Sequence, residues 1–306
     1  MRPYVYARPD GHQSRPRLRY PGLVPLIDVH SHYWEYPRHF SDDFKTQAKR
    51  ARGDAEVDLT VHWEDYAAHA QDCDKTIVFG GKAKLSGLWV PDREVAAYAA
   101  QHAEKLIGFL SLDLTQSGWQ DELVEGHQDL RMKGIKLLPM YAGFYPNDRQ
   151  FDHLWQYAAR HGLPVLLHSG TTFVSQARLD CTLPRLLDDV ATRYPELRMI
   201  LAHLSHPYEG ECVVTIRKHP NLYADVSALH YRPFQLYHSL MLVQEYGVWH
   251  KLLFGSDYPF TTVDASLEGM RRLNDMLEGT RLPRLNQDKM EEMFFRDTLQ
   301  ALGIPA

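Results

Sequence analysis

The sequence has few cysteines, no long apolar run and no excess of basic charge. Cys73, Cys181 and Cys212 are the three cysteines among 306 residues, and they are widely spaced, which argues against a disulfide framework and for a reducing compartment. No stretch of about 18 apolar residues predicts a membrane span. The N-terminus also lacks the apolar core of a signal peptide. We therefore expect a cytoplasmic protein without a membrane partner.

The charge and the glycine pattern argue against two further kinds of ligand. A formal net charge of -5 provides no basic field to attract nucleic acid. No Gly-x-Gly-x-x-Gly motif follows the first predicted strand, which disfavours a dinucleotide-binding sheet. The expected partner is therefore a small-molecule substrate. A homodimer is compatible with the sequence, which does not define an oligomeric state.

Histidine, by contrast, is abundant, with 17 residues in the chain. Residues 26–32, Leu-Ile-Asp-Val-His-Ser-His, form a short apolar strand that ends in two histidines. Because side chains alternate along a strand, Asp28, His30 and His32 are predicted to lie on one face. Two imidazoles on one face at a strand end can share a metal ion. With this many histidines, a His-x-His pair is expected by chance. Residues further along the chain must therefore show whether this pair binds a metal.

The rest of the chain alternates apolar strands with amphipathic helices. The strands are predicted near residues 26–30, 75–79, 106–112, 134–138, 164–168, 199–203, 222–226 and 251–255. Eight such units favour an α/β fold of the (β/α)₈ TIM-barrel class, formed by one domain over residues 26–306. Residues 1–25, rich in arginine and proline, are predicted to be an extended arm. Residues 33–59 are predicted to be a long connection.

Several polar residues follow or end these strands, where the active site of a barrel lies. Lys136 is in the fourth strand, His168 and His203 end the fifth and sixth, and Asp257 follows the eighth. Burying such groups without a partner is costly, and a divalent metal would supply that partner. Imidazole and carboxylate ligands suit zinc, with one position left for water. His30, His32, His168 and Asp257 would provide such a set.

With these motifs the sequence resembles the amidohydrolase superfamily. The resemblance rests on Asp-Val-His-Ser-His in the first strand, Leu-Leu-His-Ser-Gly at His168, Leu-Ala-His-Leu at His203 and Phe-Gly-Ser-Asp-Tyr-Pro-Phe at Asp257. Asn-Leu-Tyr-Ala-Asp-Val-Ser at residues 221–227 adds a likeness to the amidohydrolase-related branch. That branch contains lactonases and decarboxylases of the aminocarboxymuconate-semialdehyde type. The resemblance covers residues 26–302.

The resemblance implies a role for each matching residue. His30, His32 and His168 would bind one divalent ion per chain, zinc or manganese. Asp257 would bind the ion too, or accept a proton from its water. His203 would bind a second ion, or act as an acid and base. Lys136 would be a metal ligand only if it is carboxylated, which would add a second ion.

Substrate contacts are predicted from the loops that follow the strands. Aromatic walls with a few cations suit a flat or cyclic anionic ligand. The alternative is that the aromatic rings only pack the rim and the cations are solvated. The candidate substrate-binding residues are Tyr33, Trp34, Lys82, Tyr141 and Arg232.

These features predict a metal-dependent hydrolase of a lactone, ester or amide bond in a small cyclic or aromatic carboxylate. A nonoxidative decarboxylase of the same branch and a non-catalytic metal-binding protein are the alternatives. His203 is followed by Leu-Ser-His-Pro rather than by the glycine run of the muconate-semialdehyde decarboxylases. His30 is retained where another decarboxylase subgroup has glutamate. Both details favour hydrolysis, and Asp257 argues against a pure binder, which needs no proton shuttle.

Overall fold

The structure, a computed structural model, describes residues 24–305. The arm predicted over residues 1–25 therefore lies, except for its last two residues, outside the described residues. The strands of the described part are β1 (Ile27–His32), β2 (Lys75–Phe79), β3 (Lys82–Ala83), β4 (Leu88–Trp89), β5 (Leu106–Gly108), β6 (Leu110–Leu112), β7 (Ile135–Leu137), β8 (Val165–Leu167), β9 (Met199–Leu201), β10 (Leu222–Asp225) and β11 (Leu252–Leu253).

Two parallel sheets form the centre of the molecule. One has the strand order β1-β2-β5, and the other has the order β11-β10-β9-β8-β7-β6. On one side the sheets meet at Phe109, which separates β5 from β6 and donates its backbone N–H to Val78 at 2.9 Å. On the other side, backbone N–H groups of β1 and of the segment after β11 bond across, from Val29 to Phe254 at 3.0 Å and from Asp257 to His30 at 2.7 Å. Strands β3 and β4 form a separate antiparallel hairpin.

Helices follow the central strands, and the predicted (β/α)₈ class is confirmed. The α-helices of residues 24–305 are α1 (Asp42–Ala51), α2 (Trp63–His69), α3 (Asp92–Gln101), α4 (Trp119–Val124), α5 (Pro139–Ala142), α6 (Asp152–His161), α7 (Pro184–Arg193), α8 (Glu209–Lys218), α9 (Pro233–Glu245), α10 (Val263–Arg271), α11 (Gln287–Phe294) and α12 (Thr298–Leu302). None of these helices is both long and apolar enough to cross a membrane.

Apolar side chains from alternate strand positions fill the space inside the sheets. This interior cluster contains one or two residues from each of β1, β2, β8, β9 and β11, two that follow β5 and β9, and three from the C-terminal segment: Ile27, Val29, Ile77, Phe79, Leu166, Ile200, Leu253, Phe109, Ala202, Leu299, Leu302 and Ile304. A larger outer cluster lies between the strands and the helices. Each buried Leu, Ile or Phe side chain contributes roughly 1.5–3 kcal/mol. The interior cluster therefore stabilises the strands whose C-terminal ends carry the polar residues.

The predicted connection at residues 33–59 contains a helix. In α1, the Ser41 hydroxyl accepts the N–H of Phe44 at 3.2 Å, Asp42 and Asp43 lie in the first turn, and Lys49 and Arg50 lie in the last. These are the N-cap and the charge distribution that stabilise helix ends. Phe44 and Ala48 face the core from this helix.

Gly134 tests how tightly the interior is packed. A methyl group at this position would lie 2.4 Å from the Phe109 ring. We expect Gly134→Ala to lower the free energy of unfolding by about 1–3 kcal/mol, because overpacking displaces a buried ring or a strand. Gly210→Ala in α8 is the matched control, since its methyl meets nothing within 4 Å. That change should raise the free energy of unfolding by about 0.4–1 kcal/mol. Denaturant titration measures both, and equal changes would contradict the packing argument.

Candidate metal centre

A β-bulge in β1 turns both histidines of the strand toward the site. The pairing register with β2 shifts between Asp28 and Ser31, so one residue is extra and the alternation is interrupted. As a result, two consecutive residues face the interior. Val29 belongs to the interior cluster, and the ring of His30 contacts Phe79, another member of that cluster, at 5.1 Å between ring centroids. Asp28 instead accepts hydrogen bonds from Ser256 and Tyr66 on the outer side. The prediction that Asp28 shares a face with His30 and His32 is therefore wrong.

His203 and Asp257 reach the site through left-handed backbone conformations. Their φ angles are 57° and 66°, which cost about 1–3 kcal/mol each for residues other than glycine. Leu201, at the end of β9, packs in the outer cluster, while His203 turns toward the rings of His30 and His168. These two turns redirect side chains that a regular strand would not place together.

His30, His203 and Asp257 come together at the C-terminal ends of β1, β9 and β11. One ligand atom from each lies within 4.8 Å of the other two. The Asp257 carboxylate is 3.2 Å from Nε2 of His30 and 3.2 Å from Nε2 of His32. Two or three imidazole nitrogens and a carboxylate oxygen, all in a largely buried pocket, are the donors that zinc and manganese accept in proteins. The residues present therefore fit a divalent ion.

Asp225, the last residue of β10, and Ser227, two residues later, contact the side of this cluster that faces away from the metal position. The Asp225 carboxylate is fully buried and lies 2.9 Å from Nδ1 of His30. The Ser227 hydroxyl donates to Asp225 at 2.6 Å and lies 2.8 Å from Nδ1 of His203. Carboxylates and carbonyls that hold the outer nitrogen of a histidine orient its inner nitrogen toward a metal. The sequence interpretation missed the roles of both residues.

The carboxylates and imidazoles of the cluster shift one another's pKa values. Burial alone would raise the pKa of Asp257, but the nearby His30 and His203 rings and hydrogen bonds from His30 and His32 hold it well below its ordinary value. The same opposition between burial and His30 keeps the pKa of Asp225 low. Burial lowers the pKa of His32 and of His203 to about 4. Both carboxylates are therefore ionised and these two imidazoles neutral at neutral pH.

Lys136 lies inside the barrel beside His30. Its Nζ is 3.3 Å from Nε2 of His30 and 4.3 Å from the centre of the Phe79 ring. Burial lowers its pKa to about 7, so part of the amine is uncharged at neutral pH, as a lysine needs for carboxylation. Its assignment as a carboxylated metal ligand stays a prediction.

His168 lies at the edge of the cluster. Its ring is 5.2 Å from that of His203 and 5.0 Å from that of Tyr141, between centroids. Its Nε2 is 3.1 Å from the carbonyl oxygen of Thr171, so that nitrogen is hydrogen-bonded to the backbone. The assignment of His168 as a ligand stays a prediction, and the same holds for Tyr141 as a substrate contact.

The two aromatic candidates from the end of β1 differ in position. Trp34 is only 4% exposed, stacks on His32 at 4.0 Å and donates its indole N–H to the carbonyl oxygen of Gly80. Within the described chain, Tyr33 donates to Glu35 at 2.7 Å and stacks on Tyr98. Trp34 therefore holds a histidine of the site, whereas the ring of Tyr33 packs against Tyr98 of α3.

The two cationic candidates also differ. Lys82 is buried, and its ammonium forms ion pairs with Asp92 at 2.7 Å and Glu122 at 2.8 Å. Arg232 is exposed, lies over the Tyr231 ring at 4.6 Å and donates to the Tyr231 hydroxyl at 3.0 Å. Among residues 24–305, Arg232 has no carboxylate within ion-pair distance. Arg232 is therefore the better placed of the two to meet an anionic ligand.

A family model described as Amidohydrolase matches residues 27–290, and the chain therefore belongs to the amidohydrolase family. Members of this family are metal-dependent enzymes, among them hydrolases and decarboxylases. The superfamily resemblance expected from the sequence is confirmed. No curated protein sequence matches the chain significantly.

Solved structures with low sequence identity share the fold. An uncharacterised TIM-barrel protein from Bordetella bronchiseptica has a TM-score of 0.67 at 18% identity, over 91% of this chain and 98% of that one. A probable 2-pyrone-4,6-dicarboxylic acid hydrolase from Acinetobacter baumannii has a TM-score of 0.62 at 15% identity, over 92% and 100%. A dihydroxybenzoic acid decarboxylase from Polaromonas, with bound manganese and 2-nitroresorcinol, has a TM-score of 0.61 at 13% identity, over 91% and 97%.

The cluster leads to a prediction about metal content. Elemental analysis of the dialysed protein should find about one equivalent of a divalent ion per chain, and less than about 0.2 equivalents in folded protein would contradict the site. Two equivalents would support a carboxylated Lys136.

Single substitutions test which residues hold the ion. His30→Ala should lose it, because His30 belongs both to the observed cluster and to the ligand set expected from the sequence. His206→Ala is the matched control, since that imidazole contacts Glu209 at 2.9 Å instead of the cluster. Full metal retention by His30→Ala would show that the cluster is not the metal-binding site. Comparing His168→Ala with His203→Ala then identifies which of these two rings is a ligand.

Proposed function

We propose that the chain is a metal-dependent hydrolase that adds water to a lactone, ester or amide bond of a small cyclic or aromatic carboxylate. The observation that carries this proposal is the buried group of His30, His203 and Asp257, with His32 against the same carboxylate oxygen. We take the ion to be zinc, with manganese as the alternative. When bound, such an ion would polarise a carbonyl oxygen and lower the pKa of water toward ~7.

The residues of the chain supply the proton transfers. Asp257 is ionised and buried beside the imidazoles, which suits it to accept the proton of the attacking water. It can then return that proton to the leaving oxygen or nitrogen. His203 is neutral, and its ring lies against both His30 and His168. In this proposal His203 either completes the ligand set or assists the proton transfer.

The rim of the site supports an acidic substrate. Burial raises the pKa of the Tyr231 phenol, and the charge of Asp257 adds to this rise, so this hydroxyl lies within electrostatic range of the cluster. Arg232 donates to the same hydroxyl. Arg52 lies 5.8 Å from the centre of the Phe260 ring, and the N–H of Phe260 bonds to the carbonyl oxygen of Asp257. Two arginines thus flank the aromatic side of the cluster, where a substrate carboxylate would be attracted.

Decarboxylation is the main alternative, because it could use the same ligands. The Acinetobacter hydrolase and the Polaromonas decarboxylase share this fold at similar scores, so fold similarity does not separate the reactions. The second alternative is a non-catalytic metal-binding protein, which would bind the ion without turning over any lactone, ester or amide.

Isotope labelling separates the two reactions. Turnover in ¹⁸O-labelled water, with the best substrate from a panel of lactones and aromatic acids, should place label in the carboxylate of the product. A hydrolase forms that carboxylate with an oxygen atom from water, whereas a decarboxylase does not. Stoichiometric carbon dioxide without a new labelled carboxylate would replace the proposal with decarboxylation.

Asp257→Asn tests the proton acceptor. The amide cannot take a proton from water, so we expect turnover to fall by at least ~10²-fold, the usual scale for general acid–base catalysis. Circular dichroism checks that the fold is retained. Asp264→Asn, the same change at an exposed residue paired with His69, is the control and should keep its activity. Near-normal turnover of Asp257→Asn would remove Asp257 from the mechanism.

Arg232→Ala tests the charge of the substrate. If the guanidinium binds a carboxylate, KM should rise about tenfold or more for acidic substrates, since a charge-assisted hydrogen bond contributes roughly 1.5–3 kcal/mol. KM for neutral analogues should change little. Arg52→Ala should act in the same direction, and Arg50→Ala, on the exposed side of α1, serves as the control. Equal effects on acidic and neutral substrates would show that Arg232 does not bind the substrate carboxylate and is a solvated surface residue.

A further inference from the structure

Histidines from two distant strands share one pair of partners behind the site. Asp225 contacts the outer nitrogen of His30, and Ser227 contacts the outer nitrogens of both His30 and His203. The Ser227 hydroxyl is 2.8 Å from Nδ1 of His203 and 3.2 Å from Nδ1 of His30. Since both Asp225 and Ser227 are 0% exposed, water does not compete for these contacts. The protons in this small network can therefore be assigned from the donors and acceptors alone.

The proton of His203 is assigned first. Its Nδ1 lies 3.2 Å from the carbonyl oxygen of Ser227 as well as 2.8 Å from the hydroxyl. A carbonyl only accepts hydrogen bonds. The hydroxyl hydrogen of Ser227 is directed to the carboxylate of Asp225, at 2.6 Å, so that oxygen also accepts from the ring. Nδ1 of His203 must therefore be the protonated nitrogen.

The proton of His30 follows from the carboxylate. Oδ1 of Asp225 accepts the backbone N–H of His203 at 2.9 Å, the N–H of Ser227 at 3.1 Å and the Ser227 hydroxyl. Oδ2 is left for Nδ1 of His30, at 2.9 Å. An ionised carboxylate is only an acceptor, so Nδ1 of His30 donates. Nε2 of His30 lies between Nζ of Lys136 and the carboxylate of Asp257, and these contacts do not fix its state.

We propose that Asp225 and Ser227 are positioning residues that hold a proton on Nδ1 of both His30 and His203, so that Nε2 is the nitrogen with which each ring can meet a metal or a proton. Only an unprotonated ring nitrogen can bind a metal or accept a proton. The pair thus prepares two rings on separate strands for the same role before any ligand arrives. The use of these nitrogens rests on the proposed function, but the tautomers themselves do not.

Asp225→Asn gives the sharpest test. The three donors at Oδ1 require the amide oxygen there, which turns the NH₂ group toward Nδ1 of His30. That nitrogen must then accept, and the proton of the neutral ring moves to Nε2. In Ser227→Ala, only the longer carbonyl contact holds Nδ1 of His203, and we expect both tautomers of that ring. Asp28→Asn is the matched control: another buried carboxylate, which accepts the backbone N–H of His30 but touches neither ring.

The tautomers are measured by long-range ¹H–¹⁵N spectra of the imidazoles in metal-free protein, in mildly alkaline buffer so that the rings are neutral. Wild type and Asp28→Asn should carry the proton on Nδ1 of both rings, and Asp225→Asn should carry it on Nε2 of His30. Competition with a chelator should then give zinc affinity about 10–100-fold weaker for Asp225→Asn and close to wild type for Asp28→Asn.

The inference is overturned if His30 keeps its proton on Nδ1 in Asp225→Asn. It is also overturned if His203 stays a single Nδ1–H tautomer in Ser227→Ala, the variant that decides the matter should Asp225→Asn fail to fold. Wild-type protein with the expected tautomers but without zinc binding or turnover would contradict the proposed function instead. The two results are therefore distinguishable.

Discussion

Two buried carboxylates hold the His30 imidazole from opposite sides, Asp225 at Nδ1 and Asp257 at Nε2. Burying an ionised carboxylate is costly unless donors surround it. Asp225 is satisfied by four donors of the protein itself, which makes it a rigid support. Among residues 24–305, the hydrogen-bond partners of the Asp257 carboxylate are the imidazoles of His30 and His32, so its charge is compensated less completely. A divalent cation bound beside Asp257 would complete that compensation, and for this reason the structure fits a metal better than it fits a purely structural network.

The fold and the neighbourhood of the site follow from the sequence because of one rule. Parallel strands of a barrel end at the same face, so an apolar run followed by a polar residue already places that residue near the others. Lys136 and His30 are 106 positions apart and yet lie 3.3 Å from one another. The directions of the side chains do not follow from this rule. The bulge in β1 and the left-handed turns at His203 and Asp257 arise from tertiary packing, which leaves no periodic signal in the sequence.

Asp225 and Ser227 show what the same rule could have found. They end a buried strand with one residue between them, just as His30 and His32 do, and a buried carboxylate or hydroxyl at such a position is the kind of group that orients a metal-binding histidine. The polar helix α1 was missed for another reason. Phe44, Ala48 and Ala51 are its only apolar residues, so the segment resembles a charged loop, although Ser41 and the charged ends of the helix signal its limits. End signals deserve more weight than periodicity for such helices.

The protonation states of the cluster bear on the reaction as well as on binding. Hydrolysis begins with a base that takes a proton from water, whereas decarboxylation requires an acid that delivers a proton to carbon. Asp257 is held ionised and His203 neutral, so both can accept a proton and neither has one to deliver at neutral pH. Two residues on this face can act as acids: Lys136, with a pKa lowered to about 7 by burial, and His30, whose pKa is raised because the Asp225 and Asp257 carboxylates outweigh burial and Lys136. A decarboxylase built on this chain would therefore draw its proton from Lys136 or His30, while a hydrolase would depend on the ionised Asp257 as the proton acceptor.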